Sequence, residues 1–149
     1  MRAASFARRA VGGCAVLLAL AVAGCDGFPL FGPDRERVLA TIEFGESDPV
    51  EVVVPAVVTR GIPFDVTITT YGGGCIEEAD TQVEVQGALA VVRPYQILVH
   101  HDVCTLELRV NRRTVRVRLD TPGPGRVVVH GRSEASDQEI TVERAVTVQ

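Results

Sequence analysis

Cys75, His100, His101 and Cys104 are residues whose types could hold a metal ion. Thiolate and imidazole are zinc ligands, and His100 to Cys104 fall within one short segment. Neither cysteine belongs to a Cys-x-x-Cys pair, however. Neighbouring strand residues also point to opposite faces, so His100 and His101 do not converge on one ion. No metal site is therefore expected. Glu77, Glu78 and Asp80 form an oxygen-rich cluster beside Gly72-Gly73-Gly74. Calcium takes about six to eight oxygen ligands, commonly at glycine-punctuated spacing. This spacing fits no such loop and reads as a solvated turn. Arg109, Arg112, Arg113, Arg116 and Arg118 make a local basic patch. It is a candidate contact for an anion or an acidic partner, such as a phospholipid headgroup, an envelope polysaccharide or a protein. A charged face that guards a strand edge has the same composition. Nucleophilic chemistry has little to use. Beyond residue 24 the serines are Ser47, Ser133 and Ser136, in loop-like sequence with no elbow motif, and His130 has no evident partner. With no catalytic constellation and no cofactor motif, the chain reads as non-enzymatic.

Location is more legible than chemistry. Arg2, Arg8 and Arg9 precede an uncharged run from Ala10 to Gly24, centred on Val16-Leu17-Leu18-Ala19-Leu20. A cationic start, a short apolar run and small residues before a cut make a secretory signal. The run is shorter than the ~20 apolar residues of a spanning helix. It ends in Val22-Ala23-Gly24-Cys25, which resembles the lipobox of bacterial lipoproteins. That resemblance implies diacylglycerol on the Cys25 sulfur, loss of residues 1–24, acylation of the new amine, and a domain anchored to a membrane outside the cytoplasm. Two or more acyl chains give stable anchoring, at about 0.8 kcal/mol per buried methylene. Asp26 follows the lipid site and, in enterobacterial lipoproteins, an Asp there resembles an inner-membrane retention signal. Cys14 leaves with the signal and Cys25 takes the lipid. Cys75 and Cys104 then remain as a pair in an oxidising compartment, where a disulfide is expected. Closing a loop of about thirty residues stabilises by roughly 3–4 kcal/mol in the chain-entropy account.

Composition bounds the rest. All 15 basic residues are Arg, and three of them precede Gly24, leaving 12 against 19 acids and a mature charge of −7. A net-negative body argues against general nucleic-acid binding. Hydrophobic residues are 46% of the chain while aromatics are 5%, so the apolar mass is aliphatic and favours strands. Residues 25–37 contain Gly27, Pro29, Gly32 and Pro33 among Phe28, Leu30 and Phe31, and read as a tether. Residues 38–149 form one domain of short strands.

Residues 38–44 read as a first strand. Residues 50–58 are valine-rich and interrupted by Pro55, which suits an edge strand or a switch between sheets. Phe64, Val66 and Ile68 alternate with Asp65, Thr67 and Thr69, the pattern of a half-buried strand. Val83 and Val85 alternate until Gly87, Leu89 to Val92 run until Pro94, and Tyr95, Ile97 and Val99 alternate again. Cys104, Leu106, Leu108 and Val110 share one parity, and Val115, Val117 and Leu119 share the other. Turning both sets inward predicts a hairpin with Val110 opposite Val115 and a loop of residues 111–114. That register places Arg109, Arg116 and Arg118 on one solvent face, with Arg112 and Arg113 at its tip. It also sets Glu107 opposite Arg118 and Arg109 opposite Arg116. Residues 121–125 predict a corner and residues 133–137 a polar loop. Arg144 falls in the inward register of the last strand, which suggests a bulge or a sheet edge.

Many short strands divided by turn chemistry predict an all-β antiparallel sandwich of about seven to nine strands. Three features carry a resemblance to the immunoglobulin-like modules of bacterial surface proteins. They are Gly61-Ile62-Pro63-Phe64-Asp65-Val66 entering a strand, Pro124-Gly125-Arg126-Val127-Val128-Val129 late in the chain, and the alternating closing strand. The core tryptophan of that family is missing. The leading expectation is a lipid-anchored envelope protein with a non-enzymatic interaction or structural domain. A small-ligand or metal-binding envelope lipoprotein and an envelope enzyme are the alternatives; a filled core or a deep polar pocket would separate them.

Overall fold

The computed structural model describes residues 33–45 and 49–149. The expected secretory signal, the expected lipid site Cys25, the expected tether up to Gly32, and residues 46–48 of the turn cluster lie outside the described residues. Among the described residues the chain is all strand and turn: ten strands in one hydrogen-bonded, mostly antiparallel sheet.

Chain entry comes through β1 (Asp34–Leu39) and β2 (Thr41–Glu43), separated by Ala40. Strand pairing thus starts inside the segment expected to be tether. β1 runs antiparallel to β7 (Leu89–His100), while β2 pairs with β5 (Phe64–Gly72) and with β9 (Gly123–Ser133). Pro55 divides the valine-rich run as anticipated: β3 (Val52–Val53) pairs with β5, and β4 (Val57–Val58) pairs with β10 (Glu139–Val148). β9 and β10 pair over ten positions with no register shift. Arg144 therefore needs no bulge. Its guanidinium instead donates from Nε to the Val52 carbonyl at 3.2 Å and from Nη2 to the Val50 carbonyl at 3.5 Å. β9 starts at Gly123, so part of the expected corner is strand.

β6 (Ile76–Gln86) joins β7 through Gly87 and Ala88, and Gly87 has φ 62°. A positive φ at the first of two loop residues suits a type II′ hairpin, where glycine avoids the Cβ clash. β7 runs on through Pro94. A proline cannot donate to a ladder. Here it stands where β7 changes partner from β9 to β1, next to a register shift in β6 between Glu78 and Thr81.

The expected hairpin over residues 104–119 does not form. Residues 109–117 are one strand, β8 (Arg109–Val117), antiparallel to β5 over nine positions, with Val66 opposite Val115 and Tyr71 opposite Val110. The two apolar parities are reconciled differently. The odd set, Val115, Val117 and Leu119, faces inward, while the even set stays outside.

Alternation builds the core. Val66 and Ile68 from β5, Val117 from β8, Ala90 and Val92 from β7, Val127 and Val129 from β9, and Val146 and Val148 from β10 meet in one buried cluster with Ile42 and Leu119. Each fully buried aliphatic side chain contributes about 1.5–3 kcal/mol. This core holds both the β5–β8 pair and the β7–β9–β10 strands, and so fixes the segments between them.

Candidate functional site

Residues 101–108 connect β7 to β8 and carry no ladder of their own. Contacts at Cys104 and Thr105 hold them. Cys104 stands at disulfide distance from Cys75, with Cα atoms 5.4 Å apart. Thr105 lies on Gly74 so closely that a Cβ there would fall 1.9 Å from its Oγ1. The glycine run thus does more than end a strand: it lets the stapled segment lie down on the backbone.

Fastened this way, the segment turns its apolar residues outward. Leu106 is 105% exposed and Val103 84%, with Leu108 and Val110 at half or more. Scattered exposed aliphatics are ordinary, but several contiguous ones mark an interaction surface. Beside Leu106 and Leu108 is a cleft of about 280 Å³ between this segment and the ends of β2, β5 and β6. Phe44, Tyr71, Ile76, Leu106 and Leu108 give it an apolar lining, with Glu107 and Glu134 alongside. The Phe44 and Tyr71 rings meet at a 38° tilt with centroids 5.7 Å apart. Small-molecule sites generally begin near ~300 Å³ and enclose their ligand. This cleft suits one or two apolar side chains or acyl carbons better than a cofactor.

The five arginines of the sequence patch do not form one free basic face. Arg112, Arg116 and Arg118 point outward, and each meets a carboxylate: Glu51 at 3.9 Å, Asp65 at 3.7 Å and Asp120 at 2.9 Å. Arg109 pairs with Glu107. The expected facings of Glu107 with Arg118 and of Arg109 with Arg116 therefore do not occur. Arg113 is not at a loop tip. It occupies the inward register of β8, where Nε donates to Thr70 Oγ1 at 3.1 Å and Nη1 donates to the carbonyls of Ala79 and Tyr95 at 3.0 and 2.6 Å. Ala79 lies at the register shift of β6, so its carbonyl is off the ladder and the guanidinium supplies the missing donor. Burial lowers the Arg113 pKa, while Glu78 and Asp80 act to raise it. Among the described strands β8 pairs with β5 alone, so its arginines line a sheet edge, where charge discourages pairing with another chain.

Glu77, Glu78 and Asp80 are on β6, not in a solvated turn. Asp80 accepts two hydrogen bonds of 2.9 Å from Arg37 Nη2, and Glu77 pairs with Arg35. The Arg37 guanidinium carbon lies 3.3 Å from the centroid of the Tyr95 ring. This cluster reads as a clamp between β1, β6 and β7. His100 faces Glu36 at 3.8 Å. His130 does have a partner, Glu139 across the β9–β10 pair at 2.9 Å. Among the described residues no three His, Cys, Asp or Glu side chains group as metal ligands.

No residue type that suggests chemistry points to the apolar cleft. A signal for it was present: an even-parity apolar set next to an odd-parity one, and three glycines immediately before a cysteine. Compared with known proteins, the chain matches no family model, no curated protein and no solved structure.

Proposed function

We propose that this chain is an exported, lipid-anchored protein of the bacterial cell envelope whose domain is a non-enzymatic interaction module. The observation that carries the interaction reading is the stapled segment. A disulfide-held, glycine-seated stretch presents Leu106 and Leu108 to solvent at an apolar cleft, with Val103 exposed on the same stretch. Holding aliphatic side chains outward is costly in water, about 25 cal/mol per Å² of apolar surface, and is offset when a partner covers them. The lipobox-like Val22-Ala23-Gly24-Cys25 supports the anchor.

Within this proposal the domain is an immunoglobulin-like sandwich. One layer holds β3, β5 and β8; the other holds β4, β10, β9, β7 and β6. A core drawing on both groups, and the crossing of β1–β2 between them, support that reading. Cys25→Ser tests the anchor. With lipidation abolished, the protein should leave the membrane fraction, and unchanged membrane association would end the proposal. The outward arginines of β8, Arg109, Arg112 and Arg116, serve as edge protection here; with their guanidinium groups engaged by carboxylates, they offer an anionic partner less than their composition promised.

A further inference from the structure

We infer that the stapled segment of residues 101–108 is a lipid-contacting element that seats the domain against the membrane holding its own anchor. The inference rests on the lipid-anchored reading and names the partner of the apolar surface already described.

Three observations place that surface at the membrane end. Asp34, where β1 begins, is opposite His100, the last residue of β7. The apolar segment leaves from the very next residue. The Cys75 carbonyl accepts from the Val99 amide at 2.9 Å, so the disulfide that fastens the segment belongs to the same end. The described chain therefore begins beside the segment whose side chains it leaves exposed. Eight residues separate Cys25 from Asp34, and the nine steps between the two span at most about 30 Å when fully extended. So short a lead, entering at that end, limits how far Val103 and Leu106 can stand from the bilayer.

The chemistry fits an interfacial depth. An apolar element that lies in the headgroup region buries its side chains by about 5–10 Å. Val103 and Leu106 are aliphatic, nearly or fully exposed, and held out by a crosslink, so little ordering is lost on contact. Their neighbours make the surroundings acidic: Asp34, Glu36, Asp102 and Glu107 outnumber Arg35 and Arg109. Attraction by anionic headgroups is thus not the driving force. Apolar burial into a zwitterionic interface is.

The chain has no tryptophan, so a single introduced indole reports its own surroundings. Lipidated, full-length Leu106→Trp protein is reconstituted into phosphatidylcholine vesicles, with and without bromine on the upper acyl chain. Val103→Trp serves as a second reporter and Thr114→Trp, exposed on mid-β8, as the distant one. The expected result is a blue shift for the Val103 and Leu106 reporters and loss of most of their emission to brominated lipid, with neither effect at Thr114. Vesicle-bound protein with water-like, unquenched emission at 103 and 106 would overturn the inference while leaving the anchor intact. A blue shift without quenching would overturn it too, assigning the surface to residues 28–31 or to a second copy. Protein that fails to float with the vesicles at all contradicts the anchor, and the inference falls with it.

Discussion

Arg113 of β8 donates from Nη1 to the backbone carbonyl of Tyr95 on β7, 2.6 Å away, and so ties together strands that share no ladder. The same nitrogen reaches the Ala79 carbonyl at the β6 register shift. An arginine that sequence placed at the tip of a solvent hairpin is thus an internal tie.

Replacing it should be costly. Arg113→Ala leaves two carbonyls and Thr70 without their donor, and each unsatisfied buried group costs about 1–3 kcal/mol. Counting the partial exposure of the site, a loss of about 2–3 kcal/mol in urea unfolding is expected. Arg113→Lys should recover less than half of it, because an ammonium lacks the planar fork. Arg112→Ala and Arg116→Ala, in exposed pairs, should each stay within about 0.5 kcal/mol of the parent. Equal effects at positions 112 and 113 would contradict the internal placement.

The same group sets a pH expectation. Burial lowers its pKa in the folded state, so in the alkaline window beneath the ordinary arginine value the unfolded chain holds more protons. Stability linked to Arg113 therefore rises with pH inside that window. From about pH 5 to 9 the side chain is charged in both states and gives no slope. The difference in stability between the parent and Arg113→Met should accordingly be flat across that range when followed by urea unfolding at each pH.

Reducing the Cys75–Cys104 pair, which spans 29 residues, should lower stability by about 3–4 kcal/mol. It should also expose residues 101–108 to limited proteolysis, since the crosslink is a main restraint on that segment. An unchanged midpoint under reductant, with intact thiols shown by alkylation, would count against the staple.

Gly74→Ala drives a Cβ to within 1.9 Å of Thr105 Oγ1. Overpacking of this kind costs about 1–3 kcal/mol. The cost should largely vanish in the reduced protein, where the segment is free to lift, so the two changes should be strongly non-additive. Additive effects would mean that Gly74 answers to some constraint other than the stapled segment.

Much of the fold could be read before any coordinates. The alternation of Phe64, Val66 and Ile68 marked β5, Pro55 marked a change of strand partner, and Cys75 with Cys104 marked the crosslink. These are local signals with one physical solution. The hairpin expected over residues 104–119 failed because two apolar parities admit two solutions. Sequence spacing could not tell a turn between two inward strands from a single strand preceded by an outward segment. The choice lies in long-range pairing of β8 with β5 and in the seat that Gly74 offers Thr105. Arg113 was misplaced for the same reason, since its face follows the register. The apolar cleft could not be read at all from residue types that suggest chemistry, because aliphatic side chains become a site only where the fold leaves them uncovered.

The state of Cys25 decides most directly whether this chain is lipid-anchored. Intact-mass measurement of the protein extracted from membranes of its expressing cell should find a chain beginning at Cys25, heavier by a diacylglycerol and, where the amine is modified, by one further acyl group. A chain beginning elsewhere, or beginning at Cys25 with an unmodified thiol, would contradict it.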